Sequence, residues 1–395
     1  MFGRAFKLCG LGAVAVGVLT WQTLASTPVH GQSADVPKTP WGAPDLQGTW
    51  SSNDQVPLQR AARDAGKLLL TDEEMAQRDK EGSVQVFRGA RIAERGTLVD
   101  LMGAYDAQFE PTDRKPTGRR TALIIEPETG RMPAFTPAVQ KRLQEMREYQ
   151  LALLQSVEIC KTSQEIACFG VKPGPISARR NEPPPHYLSA LILGERVMNR
   201  NDGPEDFSLN ERCLGGTVPN FGGVYRVVQS PESIVLQYEG YQRVIPITTR
   251  AHLPAKIRAW RGDSRARWEG STLVVDVTNF TPKSDFQGSR ENLHLVERFT
   301  RTGPNTLEYV VTMDDPSSWV APWTVKVDLD LQDRKAYSLY DEPRCQDGNY
   351  ALTDMIRGAR TDDRAYAEGK GPNPATMCYL ICGGRCSPGR PGCDK

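Results

Sequence analysis

His294, Glu269, Asp276 and Glu239 are side chains that can take or release a proton, and Arg298 is a cation that can hold a developing oxyanion beside them. Together they are the parts of a cofactor-independent acid–base site: an isomerase, a lyase or cyclase, or a hydrolase. Glu297 and Asp263 belong to the same pool. A second set would hold a small ligand: Arg243, His252, Asp263, Arg265 and Arg267 to fix a polar end, Trp268 and Trp323 to cover an apolar body. A closed barrel around a carboxylate raises its pKa by desolvation, as a base working near neutrality requires. The competing account is structural, with the same charges forming ion-pair ladders on adjacent strands.

Other chemistries are disfavoured by spacing. Beyond His30 the histidines are His186, His252 and His294, and no His-Glu-x-x-His pattern exists, so no metal is expected. Gly262-Asp263-Ser264 resembles the nucleophile block of one hydrolase class, but it lies deep in the chain inside an antiparallel pattern. No Gly-x-Ser-x-Gly elbow is present, and Ser264 reads as a turn residue. No glycine-rich phosphate loop occurs, so no nucleotide cofactor is expected.

The elements that must position these groups are mostly strands. The run from Arg261 to Asp276 packs six charged side chains and Trp268 into a turn before a β-branched strand. It makes either a surface hairpin laced with ion pairs or the polar mouth of a cavity. Strands are expected over 224–229, 233–238, 243–247, 273–280, 293–300, 307–312 and 323–331, separated by turns such as Ser230-Pro231-Glu232 and Thr302-Gly303-Pro304-Asn305. Trp323, Val325, Val327, Leu329 and Leu331 share one face of the last strand. Leu295, Glu297 and Phe299 oppose His294, Val296 and Arg298 on another, so His294 and Glu297 cannot line one cavity without a bulge.

Earlier in the chain, Asp45 to Trp50 reads as an opening strand in which Gly48 lets a neighbour pack close. Thr121 to Glu126 reads as a short strand. Thr71-Asp72-Glu73-Glu74 is a capping box for a short helix ending near Gly82. Thr136-Pro137 caps a helix whose apolar face carries Val139, Leu143, Met146, Leu153, Leu154 and Val157. From Cys160 to Pro185, proline and glycine break the pattern into a loop or lid.

The first residues carry Arg4 and Lys7 ahead of a short apolar run, followed by Val29-His30-Gly31, which is the layout of a secretory signal peptide over residues 1–31. Its removal takes the formal net charge from +1 to −1, which offers nothing to nucleic acid. No second apolar run could make a stable membrane span. Eight of the nine cysteines follow the leader, and an even number in an oxidising compartment implies disulfides, with Cys160–Cys168 the first candidate. The tail cysteines Cys378, Cys382, Cys386 and Cys393 read as cystines in preference to zinc ligands. The expected organisation is a leader (1–31), helices, strands and a tied loop packing on a barrel (32–221), the barrel (222–368) and a cysteine-rich tail (369–395).

His252-Leu253-Pro254, Gly262-Asp263-Ser264-Arg265, Trp268-Glu269-Gly270, Thr272-Leu273-Val274-Val275-Asp276, Asn279-Phe280, Phe286-Gln287-Gly288-Ser289, Glu297-Arg298-Phe299 and Pro322-Trp323 resemble the motifs of a large family of exported bacterial proteins found in acidobacteria and sphingomonads. Ala266, Ser271 and Gln346-Asp347 depart from that family's usual Gly, Asp and His-Glu. The resemblance brings no established reaction. Gly48-Thr49-Trp50 ahead of many strands is similar to the start of lipocalin-type (calycin) barrels, which implies an enclosed, partly apolar small ligand. The expectation is therefore a secreted or periplasmic, mainly β protein, an antiparallel barrel with a few external helices and a disulfide-braced tail. It binds a small organic molecule or, alternatively, acts on one as an acid–base enzyme. A purely structural envelope role ranks below both.

Overall fold

Period-two alternation builds this molecule. The structure is a computed structural model that describes residues 36–91, 115–162, 168, 170–186, 199–207, 209, 212–214, 218–221, 225–238, 241–333 and 350–378. The expected leader, Glu239, Gln346-Asp347 and the cysteines of the tail beyond Cys378 lie outside these residues. All described residues belong to one unit, Ala34–Lys395.

The strands are β1 (Gly48–Ser51), β2 (Ile124–Glu126), β3 (Tyr225–Gln229), β4 (Ser233–Tyr238), β5 (Tyr241–Pro246), β6 (Asp263–Glu269), β7 (Thr272–Thr278), β8 (His294–Arg301), β9 (Thr306–Asp314) and β10 (Trp323–Leu331). They run β5-β4-β3-β1-β10-β9-β8-β7-β6, antiparallel throughout, with β2 added beside β10. The two ends of this path meet: Ile247, just past β5, bridges Ala266 of β6, and Thr248 N donates to Ala266 O at 2.9 Å. The result is a nearly closed nine-strand barrel. Closure matters physically because it leaves few unpaired strand edges. The barrel is not confined to residues 222–368, because β1 sits between β3 and β10.

Alternate residues point inward and are buried: Leu236 and Tyr238 of β4, Tyr241 and Ile245 of β5, Leu273, Val275 and Val277 of β7, Leu295 and Phe299 of β8, Leu307, Tyr309 and Val311 of β9, Trp323, Val325 and Val327 of β10. A Cβ on Gly48 would lie 2.5 Å from Leu331 Cδ1, so this position of β1 admits only glycine without a shift.

From Asp263 to Glu269 the charged run is a strand and not a turn. It pairs with β7 from Asp263↔Thr278 to Glu269↔Thr272, and only Gly270-Ser271 turn the chain. Asp263, Arg265, Arg267 and Glu269 all fall on its outer face, where water tolerates a charge at every second position; Ser264, Ala266 and Trp268 face in. Of the two alternatives for this run, the surface hairpin laced with ion pairs is the one that forms.

Outside the barrel, α1 (Asp72–Arg91) starts with the expected capping box: Thr71 N donates to Glu74 Oε2 at 2.9 Å and Glu74 N to Thr71 Oγ1 at 3.3 Å. It runs past Gly82, since one interior glycine costs only about 1 kcal/mol and no capping residue follows it. In α2 (Pro137–Leu154), Val139, Met146, Tyr149, Leu153 and Leu154 are buried, with Leu143 half-buried. The short α3 (Glu158–Thr162) opens the loop closed by the Cys160–Cys168 disulfide. Cys213 and Cys378 are also disulfide-bonded. After the barrel comes α4 (Ala351–Ala367). Among the described residues no helix is long and apolar enough to cross a membrane.

Candidate functional site

The candidate residues fall into three places, two on the outer face of the barrel wall and one inside it. The first is the outer face where β6, β7 and β8 lie side by side. Asp263 of β6, Asp276 of β7 and His294 of β8 project from alternate positions of adjacent strands, and His252 comes from the segment ahead of β6. Asp276 stands between the two imidazoles: its Oδ1 is 2.8 Å from His252 Nε2 and its Oδ2 is 3.0 Å from His294 Nε2. His252 Nδ1 lies 2.9 Å from Asp263 Oδ2, which also accepts from Leu253 N at 2.9 Å. Arg265 Nη2 lies 3.1 Å from the other Asp263 oxygen. The chain Asp263–His252–Asp276–His294 is thus continuous.

The electrostatics follow from these contacts. The hydrogen bond with His294 holds the Asp276 carboxyl below its ordinary value, against the opposing effect of burial. The same bond raises the His294 imidazole, again against burial. With Asp276 ionised, Nε2 of His294 carries the proton of that bond. Nδ1 has no partner among the described residues and is then the nitrogen open to an approaching group. His294 is 41 % exposed at its side chain, so something can approach.

Glu269, Arg267 and Arg298 form a separate group near the Gly270 turn. Glu269 Oε1 accepts from Arg267 at 2.6 Å and Oε2 from Arg298 at 2.7 Å. These bonds, Arg298's foremost, hold the Glu269 carboxyl below its ordinary value. All three side chains are well exposed. Of the group that sequence reasoning set beside Arg298, namely His294, Glu269, Asp276 and Glu239, it is Glu269 that Arg298 bonds.

The third place is the barrel interior. Arg243 projects inward from β5 and meets Glu297 of β8 in a two-pronged pair, Nη1–Oε1 3.1 Å and Nη2–Oε2 2.6 Å. Nη2 also donates to Ser264 Oγ at 3.0 Å, and Tyr309 Oη donates to Glu297 Oε1 at 2.8 Å. Ser264 is therefore a strand residue facing in, not a turn residue. Arg243 Nε is buried with no acceptor among the described residues. Burial works against the Arg243 charge, but Glu297 beside it holds the guanidinium more firmly protonated than usual. Burial pushes the Tyr241 hydroxyl up to about 12 and that of Tyr238 up as well. Those two rings stack at 4.5 Å, and the Arg261 guanidinium lies 4.2 Å over Tyr241.

Of the two tryptophans, Trp268 is half-buried against the core, while Trp323 is fully buried, edge-on to Trp319 and stacked on Phe286. Among the described residues no group of three or more His, Cys, Asp or Glu side chains could hold a metal. Sequence reasoning left Tyr309 and Ser264 out of the site. A signal for the interior pair was present: Arg243 shares a face with Tyr241 and Ile245, and Glu297 with Leu295 and Phe299. Opposite charges on two otherwise apolar faces call for each other.

Fold and residues together define a nearly closed antiparallel β-barrel with an ionised pair inside and an Asp–His chain on its wall. No family model, curated protein or solved structure matches the chain.

Proposed function

We propose that this chain is an exported β-barrel protein that binds a small, partly apolar organic molecule, of the bacterial family whose motifs it resembles. The observation that carries this reading is the Arg243–Glu297 pair inside the barrel, hydrogen-bonded to Tyr309 and Ser264. A buried ion pair is a poor stabiliser compared with well-packed apolar side chains, so its presence in an otherwise apolar interior calls for another use. Recognition of a polar group on an apolar ligand is such a use, and Arg243 Nε is a buried donor with no acceptor among the described residues. The Cys160–Cys168 disulfide supports folding in an oxidising compartment.

Native mass spectrometry of the protein recovered from the periplasm tests the reading. Extra mass that leaves on denaturation, and that is missing from folded Arg243→Met, is the expected result. An apo mass that stays unchanged after exposure to host extracts, in parent and variant alike, would sink it.

A second reading is favoured by the His294–Asp276 contact: an acid–base enzyme working on the outer wall with His294 Nδ1 as the proton-transfer atom. A molecule released in the experiment above and returned to the protein would then be converted by the parent and left intact by His294→Gln. Equal conversion by both would dismiss His294 from the chemistry.

A further inference from the structure

Well away in sequence from the barrel pair, Arg60 is a guanidinium in an unusual setting. The residue is 6 % exposed, yet among the described residues no carboxylate lies within the 4.0 Å of an ion pair. Its Nε donates to Thr121 Oγ1 at 3.0 Å and its Nη1 to Glu128 O at 2.7 Å, both neutral acceptors. Among the described residues Nη2 has no acceptor, and it is not sealed from solvent. A guanidinium that is bonded only to neutral acceptors has no counter-charge in contact, and a small anion reaching Nη2 would supply one.

The surroundings are built for that. Arg60 lines a cavity of about 520 Å³, within the size range of small-molecule sites, together with Arg131, Ala62, Ala65, Leu68 and Glu128. Arg131 is exposed, spends one nitrogen on Arg60 O at 3.0 Å and likewise has no carboxylate partner, so two guanidiniums address one space. The turn that seats Arg60 is shaped for it. Arg60 N donates to Gly130 O at 2.7 Å, and Gly130 has φ +66°; a Cβ there would lie 2.9 Å from Arg60 Cζ and Nη2. Only glycine allows both that backbone conformation and the guanidinium against it. The alanines and Leu68, itself 55 % exposed, give the cavity an apolar wall. Glu128 at the rim adds one negative charge, which disfavours a dianion.

We infer that this cavity is a second ligand site, independent of the barrel interior, that takes a small organic monocarboxylate with a short aliphatic body. The carboxylate engages Arg60 Nη2 and Arg131, and the aliphatic part lies on Ala62, Ala65 and Leu68.

The test uses the full oxidised protein and 4-methylpentanoate as the probe, with 4-methylpentanamide and inorganic phosphate as comparisons. Binding is read by calorimetry and by the arginine Nε–H resonances. The expected result is saturable binding of 4-methylpentanoate that shifts the Arg60 and Arg131 signals. The amide and phosphate should bind at least about tenfold more weakly, and Arg60→Met should weaken the carboxylate by at least about tenfold. Arg131→Gln, at an exposed position, covers the case in which Arg60→Met does not fold, and should weaken binding several-fold. The inference is overturned if the carboxylate does not bind below about 10 mM. It is equally overturned if phosphate or the amide binds as well, or if a folded variant binds like the parent.

Discussion

Asp276 is the residue on which the outer-wall chain turns, because each of its oxygens holds a different imidazole. Its link to His294 has a definite pH signature. The folded-state pKa of His294 is raised above 6.5, so the stability it contributes is fully present below that value and is lost as pH rises through the raised one. The Asp276 value is lowered below 3.8, so its contribution is present above 3.8 and is lost as pH falls through the lowered one. The contact therefore helps most in mildly acidic solution. With His294 41 % exposed, solvent screening keeps the effect below about 1 kcal/mol. Urea unfolding in mildly acidic and mildly alkaline buffers should show this component lost on the alkaline side in the parent and missing from His294→Gln. An unchanged pH slope in the variant would mean the bond contributes nothing to folding. Asp285 shows what else the residue scale holds: buried beside Arg142 and Arg290, it still has its carboxyl pushed up to about 6 by burial.

At the scale of elements, local rules worked where the signal was local. The Thr71 capping box, the Thr136-Pro137 start and the Cys160–Cys168 closure each join residues few positions apart, and all three form. Thr136 does more than its position suggests: besides capping Val139 N, its hydroxyl donates to Ser317 O at 2.7 Å, tying α2 to the segment between β9 and β10. Thr136→Ala should cost about 1 kcal/mol in chemical denaturation, and Thr136→Ser should recover most of it. A neutral Thr136→Ala would show that the cap bond, long at 3.5 Å, is not formed in solution. The local rule failed at β6. Five charged groups between Arg261 and Glu269 suggest a turn, but the glycines stand only at the two ends, Gly262 and Gly270, and what lies between alternates strictly. The periodicity was legible there and the composition obscured it.

At the scale of the whole molecule, Arg243 and Glu297 join β5 to β8, strands that are far from adjacent in the sheet order. The pair crosses the interior close to where β5 and β6 meet, and Arg243 reaches Ser264 of β6 as well. Removing one partner leaves the other charge buried, so Arg243→Met or Glu297→Gln alone should cost about 3 to 5 kcal/mol. The double replacement Arg243→Met with Glu297→Leu should cost far less than the sum and can leave the barrel folded. That double variant should then lose any retained ligand while keeping its melting temperature. Additive losses in the cycle would show that the two groups are not coupled.

Nine of the ten strands, their alternation, the starts of α1 and α2, the local Cys160–Cys168 disulfide and the acidic and basic side chains available for chemistry were all determined by the sequence, because each depends on residues close together along the chain. Which strand face lines the barrel was not. Leu295, Glu297 and Phe299 point in while His294, Val296 and Arg298 point out, and only the pairing of β8 with β7 and β9 decides that. Closure through Ala266 then separates Arg243 and Glu297 inside from Asp263, His252, Asp276 and His294 outside. Side chains that form one list in sequence become two sites because a barrel wall, made only by long-range pairing, stands between them.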